Sequence, residues 1–295
     1  MMTVKGATIH TLMQFMDDPN ATRPHLPKLD SLSRRFFETQ FFSKTFNDTR
    51  RQILTRLWGV VSNSVLERMF ASERNRLDLF DCLNRGSIIL INTAKDLLKQ
   101  GGCEILGRFF IALICQAAQE RASIPADRRR STFVYIDEAH DYFDESMENL
   151  FNQARKYHVG IIISHQNLDQ FDLRLRATVA ASTSIKVVGG LSAKDAVIFS
   201  KDMYCEPEFL QGMRKHRDRT EFACFVRNHT PAPIRLTVPL GEMERRPKLT
   251  DIQYAALINR NRERYSASGT EYDRTAEGQA DTSGADSGLG TPDLL

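Results

Sequence analysis

Cysteine is scarce in this chain, and its spacing offers no pairing. The 295 residues hold five, Cys82, Cys103, Cys115, Cys205 and Cys224, with no Cys-x-x-Cys among them. An odd count without paired spacing argues against a disulfide framework or a zinc ribbon, and free buried thiols in a reducing cytosol are expected. Long apolar runs are missing too. The longest, Phe109 to Cys115, is far shorter than the roughly 20 residues of a bilayer span. The first residues hold no apolar stretch of a secretory leader. The chain is therefore expected not to span a membrane. Extreme composition is absent as well. Hydrophobic residues make up 41% and charged residues 26%, which excludes wholesale disorder and a collagen-like chain.

The formal net charge is only +3, from 40 Lys and Arg against 37 Asp and Glu. It conceals a division. Residues 267–295 hold six acids and one base, a net −5, so residues 1–266 carry 39 bases against 31 acids, a net +8. A mildly basic body is compatible with a nucleic-acid partner. The acidic tail, rich in Gly, Ser, Thr and Asp, reads as disordered.

Apolar spacing divides the rest. Residues 1–28 are polar and punctuated by proline, with one short helix near Ile9–Phe15. From Leu29 to about Phe70 the spacing is helical, with Asn47-Asp48 as the N-cap region before Ile53, Leu57 and Val61. Ser87–Asn92, Ser131–Ile136 and Val159–Ser164 are short isoleucine- or aromatic-rich runs. They read as strands buried on both faces. Between and after them lie helical stretches at Leu97–Ala122 (broken near Gly101-Gly102), Ser146–His158, Leu173–Ala180 and Ser192–Asp202. Thr183–Val188, Thr220–Arg227 and Pro233–Pro239 complete the expected strands. Strands alternating with helices predict an α/β domain with a mostly parallel sheet.

The most informative run is Phe133-Val134-Tyr135-Ile136-Asp137-Glu138-Ala139-His140, an apolar strand ending in adjacent carboxylates. Ligands of open parallel sheets bind at the carboxyl ends of strands. Such a pair suits nucleotide hydrolysis, with Asp137 in the Mg²⁺ shell and Glu138 polarising the attacking water. A strand ending at a solvated loop is the plainer reading. The next run, Val159–Ser164, leads into His165-Gln166-Asn167, and a polar residue there can contact a γ-phosphate or orient the water. Arg155 and Lys156 end the intervening helix. There they complement the helix dipole, or Arg155 acts as a finger on a neighbouring subunit's nucleotide.

Taken together, GSIILIN, the Walker-B-like FVYIDEAHDYF, NQARKYHVGIIISHQNL and ASTSIKVVGGLSAKDA resemble the rear part of the HerA/FtsK-like motor ATPases. Within these the chain is most similar to the TraG/TraD-type conjugative coupling proteins, with their TraM-recognition-type C-terminal region. The resemblance runs from about Leu29 to Tyr265. It implies a RecA-like P-loop NTPase fold, with Asp137 as Mg²⁺ carboxylate, Glu138 as catalytic base, Gln166 as nucleotide sensor and Arg155 as a finger acting in trans. It also implies ATP and Mg²⁺ as cofactors, a hexameric ring, DNA drawn through its pore, and relaxosome or secretion-channel partners. The implied place is the cytoplasm, including the cytoplasmic face of the inner membrane.

One departure is large. The phosphate-cradling string Gly-x-x-x-x-Gly-Lys-Ser/Thr occurs nowhere in the 295 residues. The expected organisation is therefore residues 1–85 as part of an all-α insertion and 86–245 as the C-terminal half of the RecA-like core. A helical extension at 246–266 and the tail at 267–295 follow. Two functions stand: the C-terminal half of an ATP-driven DNA translocase, or a catalytically silent binding module derived from one. Asp137-Glu138-Ala139-His140 also spells a superfamily 2 helicase box, but no Ser-Ala-Thr motif accompanies it. His140, Asp141, Asp144, His158 and His165 lack metal-ligand spacing and read as loop residues. The clusters Arg128–Arg130 and Arg214–Arg219 read as solvated loops or as phosphate contacts. Trp58 reads as core or interface.

Overall fold

Short polar side chains fix where several helices begin in the computed structural model, which describes residues 4–143 and 154–266. Thr8 and Thr11 form a reciprocal box at the start of α1 (Ile9–Asp17). Asp18 accepts from Asn20 N–H before α2 (Pro19–Thr22). Asp30 accepts from Leu32 and Ser33 before α3 (Ser31–Thr39). Each bond satisfies an amide that the helix itself leaves orphaned. The next helix, α4 (Lys44–Val61), begins earlier than Asn47-Asp48 predicts, with Ser43 at its N-cap. The early start carries Phe46 onto Phe36, with ring centroids 5.4 Å apart. Aromatic packing there outweighs the local capping preference. Asn63 caps α5 (Ser64–Phe70).

The chain forms two compact units. Of the described residues, one comprises 4–78, 91–106 and 253–266; the other, 79–90, 107–143 and 154–252. In the first, helices enclose Phe41, Leu66, Leu98 and Cys103, and Asn63 Nδ2 donates to Leu98 O at 3.1 Å. Trp58, expected in a core or interface, is exposed in this unit. The exposed α12 (Asp251–Tyr265) also belongs to it. The second unit holds α6 (Leu79–Arg85), every strand of the described residues and α11 (Glu242–Arg245).

The long helix α7 (Lys95–Glu120) breaks at Lys99, whose φ is +59°, and not at Gly101-Gly102. Gly102 stays helical because Leu98 and Leu66 lie 3.3 and 3.4 Å from where a Cβ would stand. The glycine serves close packing there. By length and composition alone, Lys95–Ser123 is apolar enough to cross a membrane. This differs from the expectation of no span, because its apolar residues are spread among glycines and a few charges. Leu106, Ile111, Ala117 and Ala118 within it are buried, while Leu97 and Phe109 are exposed.

In the second unit β1 (Thr132–Ile136) pairs in parallel with β2 (Val159–Ile163), Thr132 opposite Val159 and Ile136 opposite Ile163. Gly160 leaves room for the Phe133 ring, which lies 2.8 Å from where a Cβ would stand. A second sheet runs β3-β4-β5 (Ile185–Val188, Arg219–Val226, Ile234–Pro239), antiparallel throughout. The antiparallel return is what the short Asn228-containing turn between β4 and β5 allows. From β2 the chain crosses to β3 through α8 (Leu173–Ser182), whose C-terminal carbonyls are taken by Lys186 and Arg227. After β3, α9 (Ala193–Met203) and α10 (Pro207–Gln211) pack Ala196, Met203 and Leu210 with Val188, Ala223 and Phe225.

The run Ser87–Asn92 corrects the sequence reading. It forms no strand, and Ile88 and Leu90 are 90% and 92% exposed. A strand needs a neighbour to take its amides, and no described residue pairs with this run. The helix expected at Ser146–His158 lies outside the described residues as far as 153, and its end forms a short helical turn, Arg155–Tyr157. The tail 267–295 also lies outside them.

Arg121 closes the second unit. It is wholly buried and, among the described residues, has no carboxylate in its hydrogen bonds. Nη1 donates to Arg130 O at 2.9 Å and Tyr157 O at 3.0 Å; Nη2 donates to Leu83 O and Thr132 Oγ1 at 2.8 Å. One planar group thus joins α6, the end of α7, the start of β1 and the approach to β2. Replacing it leaves several buried acceptors without donors, each worth about 1–3 kcal/mol. Arg121→Met is expected to lower unfolding free energy by at least about 2 kcal/mol in urea denaturation. Arg121→Lys should restore little, because one ammonium cannot span four acceptors spread around the edge of the guanidinium.

Candidate active site

Parallel pairing sets β1 and β2 to end side by side, and the ladder continues past them. Ser164 N–H donates to Ile136 O at 3.0 Å, and Ala139 N–H donates to Ser164 O at 2.9 Å. Between those bonds the chain must turn, and Glu138 does so with φ +48° and ψ +49°. A left-handed glutamate costs about 1–2 kcal/mol, and such strain gathers at functional sites. Tyr142, after the short helical turn Ala139–Asp141, lies against Gly107 of α7, where a Cβ would stand 2.2 Å from its ring.

Asp137 and Glu138 then face the loop after β2. Asp137 Oδ1 accepts from the Ser164 hydroxyl and, at 3.1 Å, from Glu138 N–H. Glu138 Oε1 accepts from Gln166 Nε2 at 2.8 Å. Glu138 Oε2 lies 3.4 Å from His140 Nδ1. Gln170 Oε1 accepts the backbone N–H groups of Gln166 and Asn167 at 3.0 and 3.1 Å, which holds the loop in place. His165 packs edge-on against Phe171, ring centroids 4.8 Å apart. Burial pushes its imidazole below the ordinary value of 6.5. Asp169, bound by Lys194 and Arg176, is held below the usual carboxylate range. The Lys194–Asp169 bridge, 2.7 Å, ties the start of α9 to the loop after β2. The ends of β2 and β3 therefore lie on the same side of the unit.

The structure brings Asp137, Glu138 and Gln166 together and leaves Arg155 apart. Arg155 is exposed at the start of β2, whereas the three others stand at its end. Ser164, His140 and Gln170 were not read from the sequence as parts of this cluster. The spacing Asn167-Leu168-Asp169-Gln170 carries a usable signal, since it matches a capping box and forms one. Ser164 and His140 carry none beyond their nearness to strand ends. The oxygen set of Asp137 and Ser164 suits a hard cation such as Mg²⁺. No group of three or more metal-ligating His, Cys, Asp or Glu residues occurs among the described residues.

A parallel strand pair ending in carboxylates fits a P-loop NTPase fold. Comparison with solved structures shows similarity to that fold. The chain is similar in fold to the bacterial conjugative coupling protein TrwB in its unbound form, with TM-score 0.53, 13% identity and 79% of this chain covered. It is likewise similar to TrwB in complex with ADP and Mg²⁺ (TM-score 0.53, 14% identity, 79% of this chain). A third is TrwB with the non-hydrolysable GTP analogue GDPNP (TM-score 0.52, 15% identity, 81% of this chain). The chain spans 57–60% of the length of these TrwB structures. No family model and no curated protein matches the sequence.

Two outcomes test the site's scaffold. Gly107→Ala should push Tyr142 off α7 and lower stability by about 1–3 kcal/mol, despite alanine's better helix propensity. Its melting temperature reports this. His165 carries a sign for pH. Its lowered folded value means that its contribution is complete above about pH 6.5 and is lost as pH falls through the folded value. His165→Phe should flatten the acid-side fall of urea midpoints between about pH 7 and pH 5.

Proposed function

We propose that this chain is the C-terminal part of a nucleotide-hydrolysing motor of the conjugative coupling type. The observation that carries the reading is the 2.8 Å bond from Gln166 to Glu138, which unites the ends of neighbouring parallel strands around a carboxylate. Asp137, with the Ser164 hydroxyl beside it, would hold Mg²⁺. The bound ion would neutralise phosphate charge. Glu138 takes a proton from the attacking water, and Gln166 holds that carboxylate and meets the γ-phosphate. Arg155, remote from its own chain's cluster, reaches a neighbour's nucleotide in a hexameric ring. ATP is the nucleotide and DNA the moved substrate, with relaxosome or secretion-channel proteins as partners and the cytoplasm or its inner-membrane face as the place.

What the described residues do not offer is a phosphate cradle. The ends of β2 and β3 lie on one side and are joined by the crossover through α8, yet no described residue pairs with the second edge of either strand. One parallel strand between them would continue the sheet and deliver its following loop beside Asp137 and Glu138. A glycine-rich phosphate loop placed there completes the site. A silent assembly module is the second reading, favoured by the missing Gly-Lys-Ser/Thr string.

Titration calorimetry of the purified chain with Mg-ATP decides between self-sufficiency and dependence on an added loop. Millimolar binding or none is expected, with no turnover. Micromolar binding with turnover abolished by Glu138→Gln would falsify the need for that loop.

A further inference from the structure

The carboxylate of Glu138 sits in a closed circuit of side chains whose proton positions can be worked out. The starting point is Gln170. Its Oε1 accepts two backbone N–H groups, Gln166 at 3.0 Å and Asn167 at 3.1 Å. Two N–H donors on one amide oxygen fix which way the amide faces, so Gln170 Nε2, a donor only, faces outward. It meets His140 Nε2 at 3.3 Å. Two nitrogens attract at that distance only when one offers a lone pair, and the amide nitrogen has none to offer. His140 Nε2 is therefore unprotonated, and the neutral ring carries its proton on Nδ1.

That Nδ1 lies 3.4 Å from Glu138 Oε2. Both atoms are buried, and neither has a hydrogen-bond partner among the described residues. A buried donor and a buried acceptor facing each other satisfy one another with a small approach, and catalytic hydrogen bonds are often long before substrate binds. The other oxygen, Oε1, is held by Gln166 Nε2 at 2.8 Å. Asp141 Oδ1 also lies near His140 Nε2, at 3.6 Å. It would draw a proton to that nitrogen, but it stands beyond hydrogen-bond reach while the Gln170 amide stands within it.

We propose that His140 is a positioning residue, locked by Gln170 as the Nδ1–H tautomer, which orients the Glu138 carboxylate from the side opposite Gln166. This rests on the reading of Glu138 as the proton acceptor in hydrolysis. Its consequence is that the loop after β2 grips both oxygens of Glu138. Gln166 reaches one directly, and Gln170 reaches the other through the imidazole. A ligand that moves this loop turns the carboxylate with it.

The test uses the whole chain without nucleotide, so it stands or fails separately from the hydrolysis reading. Two-bond proton–nitrogen spectra of the ¹⁵N-labelled protein report each ring's tautomer, and the His140 signals are those lost in His140→Asn. Wild type should show the Nδ1–H pattern, and Gln170→Leu should shift His140 to the Nε2–H form. The Gln166 side-chain amide should give a slowly exchanging, downfield proton in wild type. That signal should be lost in His140→Ala and retained in His140→Asn, whose amide nitrogen can stand where Nδ1 does. An Nε2–H tautomer of His140 in wild type overturns the proposal. So does an unchanged Gln166 amide in a folded His140→Ala.

Discussion

A buried guanidinium held by neutral oxygens organises the strand-bearing unit. Arg121 is buried completely, and its charge is solvated by the oxygens of Leu83, Tyr157, Arg130 and Thr132 in place of water. Burial and the neighbouring Arg129 both disfavour its charged form, and its affinity for protons is lowered accordingly. The fold tolerates this because the same bonds satisfy carbonyls that would otherwise be orphaned where β1 and β2 begin. Arg129 repeats the device beside it, donating to Arg121 O, Ile124 O and Lys156 O. The two arginines thus set the register at one end of the strand pair. The carboxylate cluster stands at the other end, five residues away along β1.

That separation of tasks explains the quality of the site. With the strand starts fixed, the ends of β1 and β2 can depart from regular geometry without losing alignment. Ser164 continues the ladder on both its N–H and its carbonyl, so Asp137 and Glu138 are placed by backbone bonds before any side chain acts. The loop that follows is held from within by Gln170. Fold similarity to TrwB at 13–15% identity is consistent with an architecture whose constraints lie in pairing and turn geometry more than in particular side chains.

Much of this was legible in the sequence where local signals suffice. β1 and β2 fall within a residue of their expected bounds, because β-branched runs ending in polar residues have few alternatives. Ser192 is the cap it was read to be. The convergence of Asp137, Glu138 and Gln166 followed from strand order. Failures came where a distant partner decides. Ser87–Asn92 has every local mark of a strand and lacks only a neighbour. The break in α7 lies at Lys99 and not at the glycine pair, of which Gly102 packs closely. Arg121 was invisible, since nothing in Gln-Glu-Arg-Ala-Ser announces a desolvated charge.

The left-handed glutamate carries a last implication. At φ +48° a glycine would fit the turn after β1 without strain, and asparagine nearly so. A chain with no use for a carboxylate there could relax that turn by one codon change and become more stable. Glu138 instead keeps its side chain in an uncomfortable backbone, aimed at Gln166 and His140. The backbone strain there accompanies the placing of a carboxylate, where a glycine would relax the chain, between Gln166 and His140.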